Sequence, residues 1–271
     1  MPSLAVLGHP VAHSKSPAMQ NAALDALGLE GWEYGSIDVR PDDFRQLVQS
    51  LPGRGFAGAN VTIPHKRAAL EVADSASDAA DAIGAANTLT FTPDGIHADN
   101  TDAPGLIAAV RDQMEELKGR TGMVLGAGGA SRAVIWALAE AGIAVSLWNR
   151  TSSRADVLAA EFGVETILAG PDAGIDPGHF DVIVNASAAG LETGDALAEL
   201  PLDPGGFRSG QVVVDMVYGA SGSGSLIETA ERAGAQTIDG LEILVRQGAE
   251  SLEIWTGREP DLDVMRRAVR K

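Results

Sequence analysis

A chain of 271 residues is longer than a typical single domain of about 100–200 residues and too short for three, so two domains are expected. Apolar residues make up 45% and charged residues 21%, enough for a sizeable core, and 20 cations against 37 acids leave a formal charge of −17 that repels phosphate backbones and anionic lipid. Cysteine is absent, which excludes disulfides, thiolate metal sites and cysteine nucleophiles. No apolar run approaches the ~18 residues of a membrane span, and Met1-Pro2-Ser3-Leu4 lacks the basic-then-apolar pattern of a signal peptide. The expectation is a cytoplasmic protein that binds neither nucleic acid nor membrane.

Short β-rich runs alternate with helix-like stretches, the pattern of an α/β fold with mainly parallel sheets and crossover helices. Ser3 to Gly8 reads as a first strand. Ser16 as a cap, Pro17 at the first helical position and Gly28 past the end then frame a helix. Strands follow at Trp32–Val39 and Ala57–Thr62, helices at Asp42–Leu51 and Lys66–Ala73, and a strand pair, Asn87–Phe91 and Ile96–Ala98, flanks the turn Pro93-Asp94-Gly95. A long helix, Ala103–Lys118, leads to strand Thr121–Leu125 and a glycine-rich turn that opens a second domain. Beyond it lie helix Ser131–Ala141, strand Val145–Trp148, helix Arg154–Phe162, strands Asp181–Asn185 and Val212–Met216, and helix Leu226–Ala233. Gly219–Ser225 reads as a mobile loop. Two helices, Leu241–Thr256 and Leu262–Arg270, close the chain, and periodicity does not say to which domain they attach.

The turn Gly126-Ala127-Gly128-Gly129-Ala130-Ser131 matches G-x-G-x-x-S: two glycines of the dinucleotide fingerprint stand in place, and serine replaces the third. An apolar strand before it and a helix after it would aim free N–H groups at a pyrophosphate; the plain alternative is a tight strand-to-helix turn. The next strand ends in Asn149-Arg150-Thr151 with Arg154 close behind and no acid to hold a ribose 2′-hydroxyl. Arg150 and Arg154 instead suit a 2′-phosphate, favouring NADP over NAD, against the plain reading of a solvated helix start.

In the first 102 residues four polar clusters follow or end predicted strands: Ser14 with Ser16, residues 60–66, Asn87-Thr88, and Asp99-Asn100-Thr101-Asp102. Ligands of open α/β sheets sit beyond the carboxyl ends of strands, so these clusters are expected to share one cleft; singly, each reads equally as a cap or turn residue. Only four of the twenty cations are lysine, and a lysine can release its proton where an arginine cannot, which makes Lys66 an acid–base candidate. His9 and His13 are separated by Pro10, and no metal site is assigned.

Together these segments resemble the shikimate dehydrogenase family along nearly the whole chain: GHPVAHSKSP at 8–17, NVTIPHK at 60–66, GAANTL at 84–89, DNTDAPG at 99–105, GAGGASRA at 126–133, NRT at 149–151, DMVY at 215–218 and DGLEILVRQGAESLEIWTG at 239–257. The resemblance implies NADP-dependent, reversible reduction of 3-dehydroshikimate to shikimate in aromatic amino-acid (chorismate) biosynthesis. It implies a substrate domain of residues 1–102 plus 238–271, with the C-terminal helices returning to it, and a Rossmann-like NADP-binding domain of residues 103–237. Lys66 and Asp102 are implied as the catalytic pair. Ser14, Ser16, Thr62, Asn87 and Gln247 are implied substrate contacts, with Tyr218 lining the substrate or nicotinamide side. Gly126, Ala127, Gly128, Gly129, Ala130, Asn149, Arg150, Thr151 and Arg154 would hold NADP, with Gly240 near the nicotinamide.

Three departures stand out: Gln20 where the family commonly has histidine, Ile243 where methionine is frequent, and the glycine–serine run after Tyr218 in place of prolines. A quinate/shikimate dehydrogenase with NAD preference and a non-catalytic binding homologue remain alternatives. Both a monomer and a homodimer fit the sequence.

Overall fold

The computed structural model describes residues 2–167, 174–218 and 224–271. The chain divides into two compact units, residues 1–105 with 244–271 and residues 106–243. The sequence places the boundaries at 102/103 and 237/238. The observed divisions fall a few residues later, inside two continuous helices that carry the chain from one unit to the other.

The first unit contains β1 (Ser3–Gly8), α1 (Ser16–Ala26), β2 (Glu33–Asp38), α2 (Phe44–Ser50), β3 (Phe56–Val61), α3 (Lys66–Val72), β4 (Ser75–Ala76), α4 (Asp78–Ile83), β5 (Thr88–Thr92) and β6 (Gly95–Asp99). Its six strands run in the order β2-β1-β3-β5-β6-β4. β5 is antiparallel to both neighbours and the other pairings are parallel. Leu7, Val61, Leu89 and Ala98 of this sheet are buried with Phe44, Val48 and Leu51 beside α2.

The connecting helix α5 (Asp102–Gln113) leads to β7 (Thr121–Leu125), α6 (Gly129–Glu140), β8 (Ala144–Trp148), α7 (Ser152–Phe162), β9 (Glu165–Thr166), β10 (Val182–Asn185), β11 (Val212–Asp215), α8 (Ser225–Arg232) and β12 (Gln236–Ile238). All pairings here are parallel, in the order β12-β11-β10-β7-β8-β9. This is the doubly wound arrangement, with its switch point between β7 and β10. Val-Ile-Val-Asn in β10 and Val-Val-Val-Asp in β11 are buried throughout, as strands covered on both faces require.

The second connecting helix, α9 (Gly240–Thr256), is followed by α10 (Leu262–Val269). α10 is tied to the first unit: Lys15 Nζ donates to Val269 O at 2.7 Å.

Several local expectations change. Ser16 is not a cap; it lies inside the first turn of α1, and its own N–H is taken by Ser14 Oγ at 3.2 Å. The helix expected to reach Lys118 stops at Gln113, because Glu116 Oε1 takes the Lys118 N–H locally and a turn from Leu117 to Arg120 follows. The expected helix 42–51 is a 3-10 turn, Pro41–Asp43, followed by α2. Of the expected loop Gly219–Ser225, residues 219–223 lie outside the described residues, while Ser225 begins α8 and its Oγ donates to Asp195 at 2.7 Å.

Candidate active site

In the first unit, topology brings the polar clusters to one edge. Leu7 pairs with Val61, so the loops after β1 and β3 leave the sheet side by side and join through His9 N–H to Ile63 O at 3.0 Å. β5 runs the opposite way, which puts its amino end at that same edge, with Thr88 opposite both Asn60 and Asp99. Ser14, Ser16, Thr62, Lys66, Asn87 and Asp102 therefore all leave this edge of the sheet.

Lys66 opens α3 and Asp102 opens α5. Lys66 Nζ donates to Asp102 Oδ2 at 2.5 Å, with side-chain exposures of 12% and 7%. Asp102 does not cap its helix. Asn100 does, its Oδ1 accepting the Asp102 N–H at 3.1 Å and the Ala103 N–H at 3.4 Å, so the Asp102 carboxylate is available to other groups. Asn87 Nδ2 donates to the second carboxylate oxygen, Oδ1, at 2.9 Å. An ammonium has three hydrogens. Among the described residues, Asp102 is the one side-chain partner of Lys66, which leaves two hydrogens for a bound molecule.

Gln247 of α9 reaches the same cluster: its Oε1 accepts from Asn87 Nδ2 at 3.1 Å and its Nε2 donates to Leu244 O at 2.8 Å. Ser16 is buried and Ser14 half-buried beside it. Thr62 is half-buried at the end of β3, its methyl packed where a side chain at Gly8 would stand. His65, next to Lys66, is a core residue. It stacks on Phe44 at 4.4 Å and donates from Nε2 to Val39 O at 2.8 Å, and burial holds its pKa below the ordinary value. His9 is exposed and pairs through Nδ1 with Asp38 at 2.7 Å.

Gln20 is fully buried and ties α1 to α9, donating from Nε2 to Gly248 O at 2.9 Å. Tyr34, Asn60, Thr88, Thr101 and Ser251 form a buried hydrogen-bonded layer beneath Asn87. Sequence reasoning gives these five residues no role. Asn60, Thr88 and Thr101 stand inside its polar clusters, and Ser251 lies inside the segment 239–257 without being singled out there.

In the second unit, all the candidate nucleotide residues follow carboxyl ends of parallel strands. Gly126 follows β7 at φ +116°, and a Cβ there would stand 2.9 Å from Ala186 O and from Ser187 N and Cα, so only glycine fits. A Cβ at Gly128 meets nothing within 4 Å, leaving open space before α6, where Gly129, Ala130 and Ser131 begin the helix and their N–H groups have no intrahelical acceptor. Ala127 is half-buried between them. Ser131, the residue in place of a third glycine, is fully buried. Its Oγ accepts the Gly128 N–H at 3.1 Å and donates to Ala186 O at 3.3 Å, closing the turn onto the end of β10.

After β8, Asn149 Nδ2 donates to Thr151 O at 2.9 Å, and Thr151 accepts the Arg154 N–H at 3.0 Å. Arg150 and Arg154 are exposed, and among the described residues neither guanidinium has a hydrogen-bond or ion-pair partner. Together, the open space at Gly128, the α6 amino end and two uncommitted guanidiniums fit a phosphorylated dinucleotide. Gly240 is required by packing: a Cβ would stand 2.7 Å from Met216 O and 2.8 Å from Val217 O. Tyr218 follows β11 and is half-buried.

Asp215, at the end of β11, accepts from Asn185 Nδ2 at 2.9 Å and from Val217 N–H at 3.1 Å. Burial nevertheless pushes its carboxyl up to about 6. Neither Asn185 nor Asp215 is singled out by the sequence reading, although Asp215 opens the DMVY segment.

Comparison with known proteins agrees along the chain. Residues 6–89 match a family described as shikimate dehydrogenase substrate binding domain, residues 108–191 one described as shikimate / quinate 5-dehydrogenase, and residues 240–270 one described as shikimate 5'-dehydrogenase C-terminal domain. A shikimate dehydrogenase (NADP(+)) of Ruegeria sp. is 41% identical over 97% of this chain and 95% of its own length. The crystal structure of shikimate 5-dehydrogenase from Thermus thermophilus in complex with NADP(H) and shikimate superposes with TM-score 0.89 at 39% identity, covering 100% of this chain and 99% of that one. A ligand-free 5-ketofructose reductase of Gluconobacter sp. also superposes, with TM-score 0.89 at 30% identity over 99% of this chain and 98% of its own. With family matches that together span most of its length and a relative this similar, the chain belongs to the shikimate dehydrogenase family.

Proposed function

We infer that this protein is an NADP-dependent oxidoreductase that interconverts 3-dehydroshikimate and shikimate, a step in the synthesis of aromatic amino acids, with Lys66 and Asp102 as its acid–base pair. The observation that carries this reading is the 2.5 Å contact between Lys66 and Asp102 at the sheet edge that Ser14, Ser16, Thr62 and Asn87 share. Two serine side chains and the Asn87–Gln247 amides suit a polyhydroxylated ring acid: Ser14 and Ser16 hold its carboxylate, and Thr62, Asn87 and Gln247 its hydroxyls. Tyr218 is a further contact of the bound molecules.

Lys66 faces the substrate oxygen that alternates between ketone and hydroxyl. Asp102 fixes the ammonium through Oδ2, and Asn87 fixes Asp102 through Oδ1. The Lys66–Asp102 pair holds the proton that this oxygen gains on reduction and takes it back on oxidation. The small exposure of both side chains strengthens their mutual field relative to bulk water.

The nucleotide is held in the second unit by the turn 126–131, Asn149, Arg150, Thr151 and Arg154, with Gly240 on the nicotinamide side. When bound, it supplies or accepts the hydride. Two uncommitted arginines and no acid after β8 favour NADP over NAD.

The 5-ketofructose reductase shows that this fold also accompanies reduction of another ketone, so substrate identity is tested directly. Rates with shikimate and quinate, each with NADP⁺ and NAD⁺, are followed at 340 nm. Shikimate with NADP⁺ is expected to dominate; quinate with NAD⁺ dominating would replace this reading by the quinate alternative, and nucleotide binding without turnover by the binding homologue.

A further inference from the structure

Ser251 is fully buried in α9, one turn beyond Gln247. Its hydroxyl lies at the centre of the layer beneath Asn87: 2.8 Å from Asn60 Nδ2, 2.9 Å from Thr88 Oγ1, 3.0 Å from Thr101 Oγ1 and 2.9 Å from Gln247 O. A serine hydroxyl carries one proton, so the neighbours decide how it is used.

Backbone groups fix the amides around it. Asn60 Nδ2 faces Asn87 O at 3.2 Å, and a carbonyl only accepts, so this atom is the amide nitrogen and donates to Ser251. Tyr34 Oη, at 2.8 Å, donates to the other end, Asn60 Oδ1. Asn87 Oδ1 accepts the Thr101 N–H at 2.8 Å, which turns Asn87 Nδ2 toward Asp102 and Gln247. Gln247 Nε2 faces Leu244 O, which turns its Oε1 toward Asn87. Three amides thus have one orientation each. Of these amides Ser251 meets that of Asn60 directly; it donates to the main-chain carbonyl of Gln247 one turn back in α9, and it reaches Asn87 through Thr88 and Thr101, whose hydroxyls bond both Ser251 Oγ and Asn87 Oδ1.

We propose that Ser251 is a positioning residue for substrate binding: it touches no reacting atom, but it holds Gln247 and Asn87 in the orientation in which they meet the ring hydroxyls. The proposal rests on the assignment of those two amides as substrate contacts. A layer with this role sets how well substrate is held more than how fast the proton moves, because Lys66 and Asp102 have no direct bond to Ser251.

The test is steady-state kinetics of Ser251→Ala, of the near-isosteric pair Ser251→Thr and Ser251→Val, of Gln247→Ala, and of the double variant Gln247→Ala/Ser251→Ala. Ser251→Ala is expected to raise KM for shikimate about three- to tenfold, as the loss of about one hydrogen bond would, with kcat changed less than twofold and KM for NADP⁺ unchanged. Ser251→Thr should recover most of the loss and Ser251→Val should not, a comparison that holds even if Ser251→Ala fails to fold. In the Gln247→Ala background, removing Ser251 should raise KM by less than it does in the parent, the remaining effect passing through Thr88 and Thr101 to Asn87.

A lower melting temperature with unchanged KM in Ser251→Ala and Ser251→Val, alongside a raised KM in Gln247→Ala, would show a purely structural serine and overturn the proposal alone. An unchanged KM in Gln247→Ala would overturn the substrate assignment and the proposal with it.

Discussion

Replacing Asp215 by asparagine offers a quantitative test of the electrostatics of the second unit. The Asp215 carboxyl is 4% exposed and its pKa is raised from an ordinary 3.8 to about 6, chiefly by burial, with the Val217 N–H and Asn185 bonds offsetting part of the cost. A carboxyl that binds its proton more tightly when folded contributes stability that is fully present below pH 3.8 and is lost as pH rises through about 6. At about 1.4 kcal/mol for each pH unit, the loss amounts to roughly 3 kcal/mol. Asparagine keeps a carbonyl oxygen for both donors and never ionises.

Asp215→Asn should therefore match the parent at pH 4 and exceed it at pH 8 by up to about 3 kcal/mol, or roughly 6–12 °C in melting temperature. Thermal unfolding of both proteins without nucleotide, at pH 4, 6 and 8, reads this difference. An equal difference at every pH, or a variant less stable at pH 8, would refute the argument that a buried charge is being carried there.

The two fingerprint glycines should separate cleanly. Gly126→Ala forces a side chain into positive φ and against Ala186 and Ser187, and should cost at least about 1–3 kcal/mol in urea unfolding. Gly128→Ala fills open space, and should leave stability within about 1 kcal/mol while raising KM for NADP⁺ severalfold. Arg150→Ala should raise KM for NADPH about tenfold or more and that for NADH less than twofold, since a charge-assisted bond to a 2′-phosphate is lost only in the first case. Equal effects on both nucleotides would remove Arg150 from phosphate recognition.

Much of this architecture is legible because buried parallel strands are short apolar runs. Ser3–Gly8, Thr121–Leu125 and the β10 and β11 segments stand out for that reason, and the polar residues after them fall on the ligand-facing edge. The helix α4 escapes a sequence reading, since Asp78–Ile83 is mostly alanine and aspartate and shows no apolar stripe; its local signals are confined to its ends, the Ser77 cap, accepting from Ala80 N–H at 3.3 Å, and the left-handed Gly84 that closes it. Reading Ser16 as a cap fails because Ser14 satisfies the N–H there. The division of labour between Asn100, which caps, and Asp102, which pairs with Lys66, depends on where α3 docks, which neither segment reveals by itself. The role of Ser251 is hidden for the same reason: apart from Gln247, one turn away, its neighbours lie 150 to 191 residues away and meet only when α9 packs across β3 and β5.

The most direct test of the account is the oxidation of shikimate by NADP⁺, followed at 340 nm, for the parent protein, Lys66→Ala and Asp102→Asn. The parent should turn over, and each variant should lose about 10²–10⁴-fold in kcat while keeping its circular dichroism spectrum. Near-parental turnover in folded Lys66→Ala would contradict the assignment of proton transfer to this ammonium–carboxylate pair.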